Sequence, residues 1–293
     1  MCIEASSVRE TLPAAVSFRK DLVDQLNFGK QIALEAGELA LRLRQGNLES
    51  KQVALPNGKN FVQTRADIEA GNLIIERIKQ RYPKDAFISQ DHVPQEGWQN
   101  TQGAVWIINA IDNTKEFEKG GDDFHIQIGL VHNNTSVLGI SYYPAKKMFI
   151  YAVEGNGAWK EVDGKVEKLN VRPCANHVIL KSSSHTEIEP LLGRKYEVNS
   201  NPLSSTGRLL EMIEGKASLY VSLGALGKDK KGGTWNYGAN TVIAKEAGLT
   251  LMTLKANPLN LRHPSGLLEE GVLLTSEPES TAVKQLISHF KSV

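Results

Sequence analysis

The sequence predicts a mixed α+β / α/β protein, and three patterns predict it. Apolar residues early in the chain recur at three- and four-residue spacing, which places them on one helical face. The middle is filled by short apolar runs and by runs that alternate with period two, the mark of strands. Beyond Arg172-Pro173, helical and strand-like segments interleave.

Taken in order, residues 1–26 read as an N-terminal extension, either a short extra helix over Val16 to Leu26 or an arm. A helix-like segment from Asn27 to Gln45 carries Ile32, Leu34, Ala36, Leu39, Leu41 and Leu43, and Gly46 is its stop. Pro56-Asn57-Gly58 is a turn. A second helix spans Ala66 to Arg81, with Asp67 in the first turn, where the helix dipole favours a carboxylate. Strands follow at Ala86–Ser89 and Val105–Ala110. In the next run Phe124, Ile126, Ile128 and Leu130 alternate with His125, Gln127 and Gly129, which reads as a half-buried strand. Two more strands, Val137–Tyr143 and Met148–Val153, flank a Pro144 turn, and Asn156-Gly157 and Asp163-Gly164 are hairpin signals. Residues 27–171 thus form an α+β domain with an antiparallel sheet, and residues 172–293 a smaller α/β domain. The latter has strands at 178–181 and 217–221, helices at 187–192, 207–214 and 237–246, and Gly248 as a helix stop.

Composition excludes several classes. The 293 residues carry a net charge of +1, which offers no global field to nucleic acid or an anionic membrane surface. No apolar run reaches the ~18–20 residues of a spanning helix, and Glu4, Arg9 and Glu10 interrupt any secretory signal. Cys2 and Cys174 are the only cysteines; two thiols in a chain of this size point to a reducing cytoplasm, with one disulfide as the alternative.

The most informative stretch is Trp106 to Thr114, W-I-I-N-A-I-D-N-T. It resembles the D-P-I-D-G-T signature of the inositol monophosphatase family of Mg²⁺-dependent phosphatases. The resemblance runs from near Phe28 to the C-terminus and implies a layered αβαβα fold with a cleft lined by acids from four places. At the first, Thr64-Arg65-Ala66-Asp67 matches T-x-A-D and keeps its acid. At the second, Ser89-Gln90-Asp91 stands where the family has G-E-E, so Gln90 replaces the metal-ligating, water-activating glutamate and Asp91 remains. At the third, Asn109 replaces the first Asp, while Asp112 and Thr114 match. At the fourth, Trp235-Asn236 replaces W-D, where Asn is also an ordinary helix N-cap. The resemblance assigns Asp67 and Thr114 to catalysis in an active protein, and Asp112 and Asp91 to a weakened metal site whose other positions are Gln90, Asn109 and Asn236.

The same three positions carry near-isosteric amides. Clustered carboxylates repel unless cations neutralise them; amides remove that repulsion and add donors. Asn113 replaces a Gly and is the least costly other residue if the backbone there is left-handed. Lys181-Ser182-Ser183-Ser184-His185 resembles the S-R-S-H segment of the 3′(2′),5′-bisphosphate nucleotidase branch, with the Arg lost; with Asn113 and Thr114, Ser182, Ser184 and His185 are the phosphate-binding candidates. Gly215 to Tyr220 matches E-G-K-A-x-L-Y and supports the fold. The basic run Lys228–Lys231 and the acid pair Asp122-Asp123 read as a solvated loop and a loop cap. The leading expectation is a catalytically impaired relative that binds a phosphorylated small molecule or a partner protein, with no cofactor or only weakly held Mg²⁺. The rivals are an active Mg²⁺-dependent phosphatase and a purely structural subunit. No interface can be read, although homodimers are common among related folds.

Overall fold

A computed structural model describes residues 20–46, 48–54, 60–92, 97–98, 101, 103–174, 177–180, 188, 190–191, 197–199, 203–223, 233–263 and 266–292. Helix α1 (Lys20–Arg44) runs without a break through residues 20–26, so that stretch is the start of α1 and not a separate extra helix. Burial gives the reason. Leu22 and Leu26 extend the apolar stripe of the helix backwards and enter the same core as Ile32 and Ala36.

β1 (Ser50–Ala54) and β2 (Asn60–Thr64) pair antiparallel, a hairpin the sequence shows only by its turn. α2 (Arg65–Arg81) follows directly. Next come β3 (Ala86–Ser89), β4 (Val105–Asp112), α3 (Thr114–Glu118), β5 (His125–His132), β6 (Thr135–Tyr143), β7 (Met148–Val153), β8 (Ala158–Val162) and β9 (Lys165–Leu169). The strands from β3 to β9 lie side by side in chain order; β3 and β4 are parallel and the others antiparallel. The second part contains β10 (His177–Leu180), β11 (Glu197–Asn199), α4 (Ser205–Ile213), β12 (Leu219–Ser222), α5 (Gly238–Ala247), β13 (Thr250–Met252), β14 (Val272–Thr275) and α6 (Thr281–Lys291). Its sheet has the order β11-β10-β12-β14-β13 among the described residues.

The cores reveal the layers. One face of the first sheet, through Trp106, Ile108, Ile126 and Ile140, packs on α1 and α2. Its other face, through Ile150 and Ala152, packs on Leu209 and Met212 of α4 and on Val242 and Ile243 of α5, which also meet Tyr220 and Leu274 of the second sheet. The far face of that sheet, through Leu219, Val221 and Leu273, packs on Val283, Leu286 and Phe290 of α6. The stack is α-β-α-β-α, with two sheets each burying both faces.

This corrects the reading of β5. His125 and Gln127 sit at alternate positions as on a solvent-facing strand, but both are 0% exposed. The covering layer is α4 and α5, and it is drawn in unusually close. A Cβ on Gly129 would lie 2.4 Å from the Gly238 carbonyl carbon, and one on Gly238 would lie 2.6 Å from Ile107 Cβ. Only glycine lets these backbones approach so closely. That contact brings the start of α5 within side-chain reach of β4.

Candidate functional site

The site lies where β2 meets α2, where β3 and β4 end, and where α5 begins. Thr64 and Asp67 form a capping box at the head of α2. Thr64 donates to Asp67 Oδ2 through its Oγ1 at 2.5 Å and its N–H at 2.7 Å, and the Asp67 N–H returns a 3.3 Å bond to Thr64 Oγ1. Thr114 Oγ1 donates to Asp67 Oδ1 at 3.2 Å. Two residues read separately from sequence are therefore joined, and both carboxylate oxygens of Asp67 are occupied.

Asp91 follows β3. Gln63 Nε2 donates to its Oδ1 at 2.9 Å, while its buried Oδ2 has no hydrogen-bond partner among the described residues. The turn is held by His92, which the sequence did not single out. Its ring lies against Gly71 of α2, with Nδ1 3.2 Å from Ser89 Oγ and Nε2 3.0 Å from Asn72 Oδ1. Gln90 is half-buried, and its backbone N–H reaches Ile108 O. Burial, and then the charge of Asp91, push the Asp67 carboxyl up to about 7. Burial likewise pushes Asp91 up to about 6, against the Gln63 hydrogen bond. Asp67 is thus only partly ionised near neutral pH, while Asp91 keeps its proton to a higher pH than an ordinary carboxyl but is largely ionised at pH 7.

Across the site the chemistry is different. A register shift in the β4–β5 ladder between Asn109 and Asp112 places Asn109 opposite Gln127 and Asp112 opposite His125. Asn109 is 1% exposed, and its Nδ2 donates to Asn236 Oδ1 at 2.9 Å. Asn236 does not cap α5, contrary to its reading as an N-cap. A short 3₁₀ turn, Thr234–Asn236, delays the helix, so Tyr237 takes the cap position without a side-chain bond. Freed of capping, the Asn236 side chain reaches β4, and its backbone carbonyl accepts from Asn240 Nδ2 at 2.9 Å.

The Asp112 side chain reaches the first turn of α4, whose N-cap is Ser204. Its Oδ2 accepts from Ser205 N–H at 2.7 Å and its Oδ1 from Asn113 N–H at 3.1 Å. Burial is the strongest single influence against its ionisation; His125, Ser205 and Arg208 together outweigh it and hold its pKa below the usual carboxylate range. Burial pushes the His125 ring down, against the pull of Asp112. Its Nε2 lies 3.4 Å from Asp112 Oδ2. Asn113 adopts φ 67° and ψ 48°, the left-handed conformation that its replacement of Gly predicts. Its Nδ2 donates to Asp123 O at 2.8 Å, and Asp123 accepts from Ser204 N–H at 2.8 Å and Ser204 Oγ at 3.0 Å. Asp123 therefore holds Ser204, the N-cap of α4, where its sequence reading was a loop cap.

Ser182, Ser184 and His185 lie outside the described residues, as does the basic run 228–231. Beneath the site lies a buried polar group that sequence reasoning missed: His125, Gln127, Ser141, Ser205, Thr206 and Asn240. Its one sequence signal is polar side chains at alternate positions of β5 and β6.

The divalent ions implied by the resemblance take hard oxygen ligands, chiefly carboxylates. Here the oxygens of Asp67 and Asp112 accept hydrogen bonds and Asn109 donates to Asn236, which leaves Asp91 Oδ2 and the amide oxygen Asn109 Oδ1 as the buried site oxygens without a partner among the described residues, one carboxylate oxygen and one neutral oxygen. Among the described residues no three His, Cys, Asp or Glu side chains are grouped to hold a metal. The donor set does not fit a multi-ion Mg²⁺ centre.

The five-layer stack and this junction of β2–α2, β3, β4–α3 and α5 define the class, a phosphatase-type αβαβα fold. The sequence profile described as the inositol monophosphatase family matches residues 21–291, and the chain belongs to that family. Among curated relatives, the 3′(2′),5′-bisphosphate nucleotidase CysQ of Salmonella typhimurium is 28% identical over 251 residues, covering 84% of this chain and 97% of that one. The fructose-1,6-bisphosphatase/inositol-1-monophosphatase of Thermotoga maritima is 23% identical over 265 residues, covering 86% and 93%. The crystal structure of CysQ from Bacteroides thetaiotaomicron superposes with a TM-score of 0.66 at 22% identity, over 86% of this chain and 97% of that one, a likeness of fold. No helix among the described residues is long and apolar enough to cross a membrane.

Proposed function

We propose that this chain is a catalytically impaired member of the inositol monophosphatase family that binds a phosphorylated small molecule at the old metal site, without multi-ion hydrolysis. The observation that carries this reading is the 2.9 Å bond between Asn109 and Asn236, at two positions where the family resemblance expects metal-holding acids. One amide can donate to the other, whereas a carboxylate pair at the same spacing would need a cation. The relatives named as bisphosphate nucleotidases make a nucleoside bisphosphate the first ligand to try. Burial favours the same reading. Asp67, raised to about 7, is partly protonated at neutral pH, which lowers the repulsion an anion meets without metal. A reducing cytoplasm is the expected compartment, on the strength of the two cysteines.

The retained Asp67, Asp91, Asp112 and Thr114 favour one rival, an active Mg²⁺-dependent phosphatase. One experiment separates the two. Phosphate release from adenosine 3′,5′-bisphosphate and inositol monophosphate is measured with Mg²⁺ or Mn²⁺, with Asp112→Asn as the contamination control. Binding of the bisphosphate is followed in parallel by calorimetry in EDTA. The proposal expects binding without release. Release by wild type that disappears in the control would replace it with the rival.

A further inference from the structure

The Asn109–Asn236 bond is one end of a longer chain of contacts. Asn240 Nδ2 donates to the Asn236 carbonyl at 2.9 Å and to Ser205 Oγ at 3.1 Å. Thr206 Oγ1 donates to Asn240 Oδ1 at 2.8 Å. The same hydroxyl lies 3.0 Å from His125 Nε2 and 2.9 Å from both Gln127 Nε2 and Ser141 Oγ. Ser205 N–H then reaches Asp112 Oδ2 at 2.7 Å, and Asp112 returns to β4, the strand that bears Asn109. The path is a closed ring: β4, the turn before α5, α5, α4, and back to β4. It passes through two of the four places where the resemblance puts metal ligands, and every link is a side chain or backbone group of this chain.

We propose that this ring replaces divalent ions as the cross-link between β4 and the α4–α5 layer, so that the site is held in its folded geometry without metal. In a site lined by acids, a bound cation stabilises the fold by mass action, because only the folded chain assembles the ligands. A cross-link made through Asn109, Asn236, Asn240 and Thr206 brings no carboxylate to the β4–α5 junction for a cation to neutralise, so a chelator removes nothing from it. Asn240 and Thr206 are positioning residues in this scheme. They hold Asn236 and α4 from behind and make no bond to Asn109 themselves. The inference goes beyond ligand binding, since it concerns what joins two layers whether or not a phosphate compound occupies the site.

The test is thermal unfolding of the full chain in EDTA and in 10 mM MgCl₂, with no phosphate compound present, on wild type, Asn236→Ala and Asn109→Asp/Asn236→Asp. Wild type is expected to unfold within about 1 °C of the same temperature in both buffers, since without differential binding there is no linkage shift. Asn236→Ala leaves a buried amide without its partner and is expected to lose about 3–6 °C equally in both. The double-acid variant adds two charges beside Asp67, Asp91 and Asp112. It is expected to fall further in EDTA and to recover by roughly 4 °C or more with Mg²⁺. Stabilisation of wild type by Mg²⁺ comparable to that of the double-acid variant would overturn the proposal, as would an Asn236→Ala variant as stable as wild type. A double-acid variant that folds but ignores Mg²⁺ would also overturn it. If that variant does not fold in either buffer, wild type and Asn236→Ala decide alone. Phosphate release is a separate readout, so a failure here and a failure of the binding-protein reading are distinguishable.

Discussion

The two sides of the site solve one electrostatic problem in opposite ways. On the α2–β3 side the acids remain: Asp67 inside a capping box, Asp91 under a single bond from Gln63. Their mutual repulsion is met by burial and protonation, with both carboxyls raised well above the ordinary range. On the β4–α5 side the acids are gone, and Asn109 and Asn236 bond to each other at 2.9 Å. Asp112 lies between the two; burial opposes its ionisation, and His125, Ser205 and Arg208 together hold its carboxyl below the usual carboxylate range. The contrast teaches that a family fold can keep its shape while half its site depends on pH and the other half does not.

The sharpest way to break that comparison is to cut the amide side from beneath. Thr206→Val keeps the side-chain volume but removes a hydroxyl that is 0% exposed and bonded to Asn240 and Gln127. Leaving buried polar groups without partners costs ~1–3 kcal/mol each, so a loss of about 3 kcal/mol is expected. Urea unfolding measures it. A loss under about 1 kcal/mol would show that the ring is slack and that α5 is held by apolar packing alone.

The acid side is sharpened by pH. Asp91 is raised from 3.8 to about 6 in the fold, so folding favours its protonated form. The resulting stability is complete below the unfolded value and is lost as pH rises through the folded one. Unfolding temperature should therefore decline between about pH 4 and pH 7 less steeply in Asp91→Asn than in wild type. The variant, whose amide oxygen can still accept from Gln63, should be the more stable protein at pH 8 by about 2–4 °C. Parallel pH profiles for the two proteins would remove the argument that burial strains this carboxylate.

How much of this is legible in the sequence follows the same divide. The acid side is local. Thr64 and Asp67 are three residues apart, and a capping box is a short-range pattern, so the head of α2 can be read directly. The left-handed Asn113 is legible for the same reason, since a Gly position in a related motif implies its backbone conformation. The amide side joins residues 127 apart, Asn109 and Asn236, and no periodicity reports such a contact. The buried polar group was hidden by a sound rule used outside its conditions. Alternation marks a half-buried strand only when one face meets water, and here α4 and α5 cover the second face. Short strands such as β11 and β13 carry too few residues for any period to show. The late Asn236 cap failed because Asn is favoured before a helix whether or not its side chain is drawn elsewhere.

The smallest expected effect tests the hinge between the two sides. Asn113 joins them: its N–H donates to Asp112, its Nδ2 reaches the Asp123 carbonyl, and Asp123 holds Ser204, the N-cap of α4. It also holds φ at 67°, where a side chain is a burden and glycine is not. Asn113→Gly removes the side-chain link and relieves the backbone, so the two changes oppose, and a net loss of only about 0.5–1 kcal/mol is expected. Asn113→Ala removes the same link without that relief and should lie ~1 kcal/mol lower still, the cost of the left-handed conformation for a residue with Cβ. The difference between Ala and Gly isolates the backbone contribution, and the difference between Gly and Asn isolates the link. Equal stability of the two variants would mean that the turn relaxes out of the left-handed region. A Gly variant more stable than wild type would mean that the Asp123 link holds nothing, and the two sides would then be coupled only through Asp112.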